Sequence, residues 1–83
     1  MRIYMQALIG DSNTPRFYHL WLQEDLIDGW NVTREWGVQG GTGRLRQDHY
    51  LDMQEGLEAL LKLRDAQLKR GYRVVFSEGQ QPG

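Results

Sequence analysis

Trp36 and the arginines near it are the residues of this sequence best suited to hold a ligand. Trp36 closes the alternating segment Trp30-Asn-Val-Thr-Arg-Glu-Trp36, so Trp30, Val32, Arg34 and Trp36 share one face of a strand. A glycine-rich stretch from Gly37 to Gly43 follows, and then Arg44 and Arg46, which share a face of a returning strand. If those two strands pair, one aromatic plane and several guanidinium groups converge. An indole stacks on a base or a sugar, and guanidinium groups hold phosphate oxygens beside it. The plainer reading of the same residues makes Trp36 a core aromatic and the arginines solvated strand positions.

Other chemistry has less behind it. His19 and His49 fall in separate expected strands, without the spacing of a shared metal site. Ser12 lacks the glycines of a nucleophile elbow, and the chain has no cysteine. Asp11, Glu24, Asp25, Asp28 and Asp48 are spread over turns and strand ends, where solvation accounts for them. The run GGTG before Arg44 invites comparison with a phosphate loop. Such a loop needs GxxxxGK[ST] or GxGxxG between a strand and a helix. This one joins two expected strands, and a tight turn using positive φ explains it. The expectation is a binding module, with no catalytic residue, metal, cofactor or small-molecule substrate.

The elements that must position these residues follow from length and patterning. A chain of 83 residues has room for one core, and without cysteine that core has no disulfide or thiolate metal to reinforce it. There is no signal-peptide pattern and no spanning apolar run, so the expected location is cytoplasmic, away from a membrane. Ten basic side chains against eleven acidic ones give a net charge of −1. A phosphate-binding site must therefore be a local patch on a nearly neutral whole.

Ile3, Met5, Ala7 and Ile9 alternate along a first strand, and the turn cluster at 10–15 ends it. Arg16 to Glu24 carries bulky groups on both parities, which predicts a central strand covered on both faces. Asp28-Gly29 reads as a hairpin tip, Trp30 to Trp36 as the third strand and Arg44 to Tyr50 as the fourth. Asp52 is an N-cap, with Glu55 in capping-box position. Met53, Leu57, Leu60, Leu61 and Leu68 form the apolar stripe of the helix, and Gly71 ends it. Tyr72 to Phe76 offers a short closing strand. The fold class is α+β: a curled antiparallel sheet of four to five strands with one amphipathic helix packed across it. One domain spans 1–76, and 77–83 is a flexible C-terminal tail.

The sequence resembles the WGR domain from about residue 3 to Phe76. The likeness rests on RFYHLWLQED, on WNVTREWG, on the glycine-rich turn followed by GRLR, and on a helix ending KRGYR. The domain takes its name from a Trp-Gly-Arg triplet. Trp36 and Gly37 keep two of these positions, and Val38 stands in place of the arginine. The resemblance implies a sheet with one helix against it, and nucleic-acid binding through the triplet region. In poly(ADP-ribose) polymerases the domain contacts DNA near a break; in bacteria similar domains occur alone or attached to other modules.

Two readings of function follow. In the first, the chain is a small module that binds nucleic acid, DNA ends or partly unpaired structure, through Trp36, Gly37, Arg34, Arg44 and Arg46. In the second, Val38 marks a lost site. The chain is then a protein-interaction or self-association module, able to form a homodimer through an exposed edge of its first strand.

Overall fold

The structure is a computed structural model that describes residues 1–8 and 14–79, so most of the turn cluster at 10–15 lies outside the described residues. Its elements are β1 (Arg2–Ala7), β2 (Arg16–Glu24), β3 (Trp30–Val38), β4 (Arg44–Tyr50), α1 (Met53–Lys69) and β5 (Arg73–Glu78). The strands form one antiparallel sheet in the order β4-β3-β2-β1-β5. Four consecutive strands build the sheet from β1 outward. Helix α1 then crosses back over one face and delivers β5 to the far side of β1. This is the expected α+β fold, with the sheet at five strands.

Alternation decides which residues meet the helix. Ile3, Met5 and Ala7 of β1 register with Leu20, Tyr18 and Arg16 of β2, and Leu22 with Val32 of β3. Ile3, Met5, Leu20, Val32 and Leu60 are almost wholly removed from solvent. Each such side chain contributes about 1.5–3 kcal/mol by burial. Leu57, Tyr18, Ala7 and Tyr72 complete the core.

The helix begins where the sequence predicts. The Asp52 side chain accepts the Gln54 N–H at 2.8 Å, satisfying one donor of the first turn. Gly56 then lets the helix lie close to the sheet: a Cβ there would stand 2.9 Å from Leu22 Cδ1. Gly71, at φ 102°, ends the helix.

The apolar stripe is narrower than predicted. Leu57 and Leu60 are buried and Leu61 half-buried, but Met53 and Leu68 are exposed, at 38% and 44%. Gln67 takes the buried position in the last turn instead. Its backbone carbonyl accepts the Arg70 and Tyr72 N–H groups, and its side-chain oxygen accepts Arg70 Nη1 at 3.0 Å. A polar residue that caps the helix end can be buried there, which the leucine spacing does not reveal.

Two further expectations change. β1 is an interior strand, hydrogen-bonded to β2 on one side and β5 on the other, so it offers no exposed edge. The edges are β4 and β5. Strand β5 also runs to Glu78, so Ser77 and Glu78 of the expected tail are sheet residues, while 80–83 lie outside the described residues.

β2 is central, but the helix covers only one of its faces. Its other parity meets aromatic neighbours on the helix-free face. Tyr4 lies 6.3 Å from Phe17 and 5.5 Å from His19, and His19 lies 4.6 Å from Trp21. This layer of half-buried rings shields the second face of the sheet without a second helix.

Candidate nucleic-acid interface

The hairpin joining β3 to β4 brings the predicted residues together. Trp36 is directly opposite Arg44, and Arg34 directly opposite Arg46. All four share the parity of Val32, so they belong to the helix-bearing face. Helix α1 runs from the Trp30 end of that face, where Gly56 sits, toward Tyr72, which meets Tyr18 edge-on at 5.8 Å.

Trp36 is half-buried and held by two neighbours. Its ring stacks on Tyr18 at 5.8 Å with planes 19° apart, and the Arg34 guanidinium lies 5.4 Å from its centroid. Arg34 Nη1 donates to the Tyr18 hydroxyl at 3.3 Å, closing a triangle of Tyr18, Arg34 and Trp36. A cation against an indole face is worth about 0.5–2 kcal/mol. Arg34 Nε is buried without a hydrogen-bond partner. The indole is therefore both a core-edge residue and a positioned surface. The packing on Tyr18 fits the plainer sequence reading of Trp36 as a core aromatic, and the register places it beside Arg34 and Arg44.

Arg44 and Arg46 are exposed on edge strand β4. Arg46 touches Asp48 at 3.4 Å, an exposed pair too weak to hold the guanidinium against a phosphate. Arg70 lies 5.8 Å from the Tyr72 ring and borders the same cluster. Gly37 plays a different part. It registers with Phe17, and a Cβ on it would approach Gly43 Cα at 3.1 Å and Phe17 Cε1 at 3.5 Å, so it faces the opposite side of the sheet. Gly37 allows the hairpin to close; it does not line the arginine face.

One member was not legible in the sequence. Arg16 is the cross-strand partner of Val38, and both continue the Tyr18 and Trp36 rows to the end of the sheet. Both are exposed. Arg16, Arg34, Arg44 and Arg46 thus lie on one face, and Asp48 and Glu24 on that face stand toward its other end. The only sequence signal for Arg16 is its parity with Tyr18, and that means nothing until the β2–β3 register is known. A nearly neutral chain thereby carries a locally cationic corner.

Away from this corner, the structure gathers carboxylates expected to be scattered. Asp25 Oδ2 and Asp28 Oδ1 lie 3.9 and 3.8 Å from the His49 ring nitrogens, and Asn31 Oδ1 lies 2.9 Å from His49 Nδ1. Asp25 also accepts from Ile27 N–H and Asn31 Nδ2, and these bonds hold its carboxyl below the usual range. The group ties the β2–β3 hairpin to β4. Among the described residues no cluster of three or more His, Cys, Asp or Glu is arranged to hold a metal.

A five-stranded antiparallel sheet with a single helix laid across it, and a Trp-Gly pair at the end of its third strand, defines a small α+β module. The chain belongs to the WGR domain family, whose model matches residues 1–79. It is similar to y4dW of Sinorhizobium fredii, an uncharacterized protein, with 28% identity over 72 residues. That match covers 87% of this chain and 35% of y4dW, so the chain spans about a third of that relative. No solved structure gives a significant match. Among the described residues no helix is long and apolar enough to cross a membrane.

Proposed function

We propose that this WGR domain binds nucleic acid, DNA in preference, on the helix-bearing corner formed by Trp36, Arg34, Arg44, Arg46 and Arg16, and that its role is binding, not catalysis. The observation that carries the reading is the Tyr18–Arg34–Trp36 triangle flanked by exposed arginines. A rigid indole can stack on a terminal or unpaired base, and guanidinium groups alongside can meet the phosphates that follow it. An end or a partly unpaired junction suits such a site better than an intact duplex, whose bases are already stacked. Family membership supports the same ligand class. The net charge of −1 limits long-range attraction, so affinity comes from contacts at this corner.

Fluorescence anisotropy of labelled blunt, nicked and single-stranded DNA tests this. Contact with four phosphates predicts that affinity falls about a hundredfold between about 50 and 200 mM salt. Trp36→Ala should weaken binding about ten- to a hundredfold, the range for losing one stacked base. Arg44→Ala and Arg46→Ala remove exposed side chains, leave the fold intact and should each weaken it severalfold. Binding that ignores both salt and the two arginine variants would place the function elsewhere.

A further inference from the structure

The two edges of the sheet are not alike. β4 is guarded by Arg44, Arg46 and Asp48, and charges along an edge discourage pairing with another strand. β5 has the sequence Arg73-Val-Val-Phe-Ser-Glu78, and every residue of it is exposed. Val74, Val75 and Phe76 are 42%, 54% and 47% accessible. An apolar centre with a cation at one end and an anion at the other is self-complementary when the strand meets a second copy running the opposite way.

The backbone allows that pairing in one register. Met1 and Leu22 exchange hydrogen bonds in both directions, 2.8 and 3.3 Å. Alternation then turns Ile3 and Met5 toward β2, and Arg2, Tyr4 and Gln6 toward β5. Val74 and Ser77 stand opposite Met5 and Ile3, so their own N–H and C=O groups face outward.

In a regular strand, positions 74 and 77 would point opposite ways. The register shift in the β1–β5 ladder between Tyr4 and Met5 brings them into phase. The same shift sets Arg73 opposite Gln6 and Glu78 opposite Arg2, both on the helix-free face. Among the described residues neither Arg73 nor Glu78 makes an ion pair within its own chain.

We infer that β5 is a homodimerisation edge. Two copies pair antiparallel about a two-fold axis at the Val75–Phe76 step and form a continuous ten-stranded sheet. Val74 exchanges backbone hydrogen bonds with Ser77 of the second copy, and Arg73 meets its Glu78. Phe76 of each copy packs near the axis on the helix-free face. The arginine corner lies toward the other edge of each sheet, so the two surfaces do not compete.

Sedimentation equilibrium from about 10 μM to about 1 mM chain tests the inference. The mass should rise from 9.7 kDa toward twice that value. Arg73→Glu alone and Glu78→Arg alone set like charges opposite each other and should raise the dimer dissociation constant about tenfold. The double variant R73E/E78R restores opposite charges and should return it to within about threefold of the parent. Val75→Lys, at the axis, should leave only monomer, with far-UV circular dichroism unchanged. A chain that keeps its monomer mass throughout overturns the proposal. So does a dimer indifferent to the single charge reversals, or one that the double variant fails to restore.

Discussion

Arg16 and Val38 are direct cross-strand partners at the end of β2 and β3, on the same face as Trp36. The position where the family triplet has an arginine is thus filled by valine, and the residue facing it across the ladder is an arginine. Opposed residues in an antiparallel pair have Cβ atoms only about 4.5–5.5 Å apart. A guanidinium therefore stands about one strand spacing from the triplet's third position.

On the proposed reading of this corner as a DNA site, Val38→Arg should therefore strengthen binding. A new charge-assisted phosphate contact is worth about 1.5–3 kcal/mol, so DNA affinity should rise about tenfold or more, with a steeper salt dependence. Arg16→Ala should lower the affinity of the parent chain by a similar factor. Anisotropy titrations of the two variants at matched salt check this; an unchanged affinity in both would show that this end of the sheet does not meet the ligand.

Gly29 and Gly40 both have positive φ, 76° and 81°, but different surroundings. A Cβ at Gly29 would lie 2.5 Å from the Tyr50 carbonyl oxygen and 2.8 Å from the His49 ring, whereas Gly40 has open space around it. Gly29→Ala should cost about 2–4 kcal/mol and Gly40→Ala about 1 kcal/mol. Urea denaturation of the two variants separates a steric requirement from a purely conformational one. Equal losses would mean that the hairpin tip can shift away from β4.

His19 gives the chain a pH dependence. Burial, and then the Arg2 charge, lower its pKa from the ordinary 6.5, with Glu35 acting the other way. Its Nε2 is buried with no hydrogen-bond partner. The unfolded chain takes up this proton more readily than the folded one. The stability tied to His19 is therefore complete above pH 6.5 and is lost as pH falls through that value toward the folded pKa. The urea midpoint should decline as pH falls below about 6.5, and His19→Phe should flatten that decline. A variant with the parent's full slope would assign the effect to another group.

Much of this architecture can be read from local rules. The parity of Trp30 to Trp36, the Asp52 cap and the Gly71 stop are short-range signals, and each acts where the sequence places it. Pairing partners are another matter. That β1 is interior depends on α1 carrying β5 across the sheet, and no residue of β1 records that event. Arg16 stayed hidden for the same reason: its neighbour Val38 is 22 residues away and is fixed only by register. Gln67 takes the buried place expected of Leu68 because that position is decided by where the helix end meets Tyr72, not by hydropathy.

The crossing of α1 has one more result. Since β5 returns to β1, residue 79 finishes beside residue 1, and a Cβ on Gly79 would come within 2.7 Å of the Met1 Cα. A unit whose ends meet can be carried in a surface loop of a larger chain without prising its host apart. It can also be permuted: its ends joined by a short linker and its sequence reopened at the β3–β4 hairpin tip. The order in which the strands are read would change, while the face they present stayed the same.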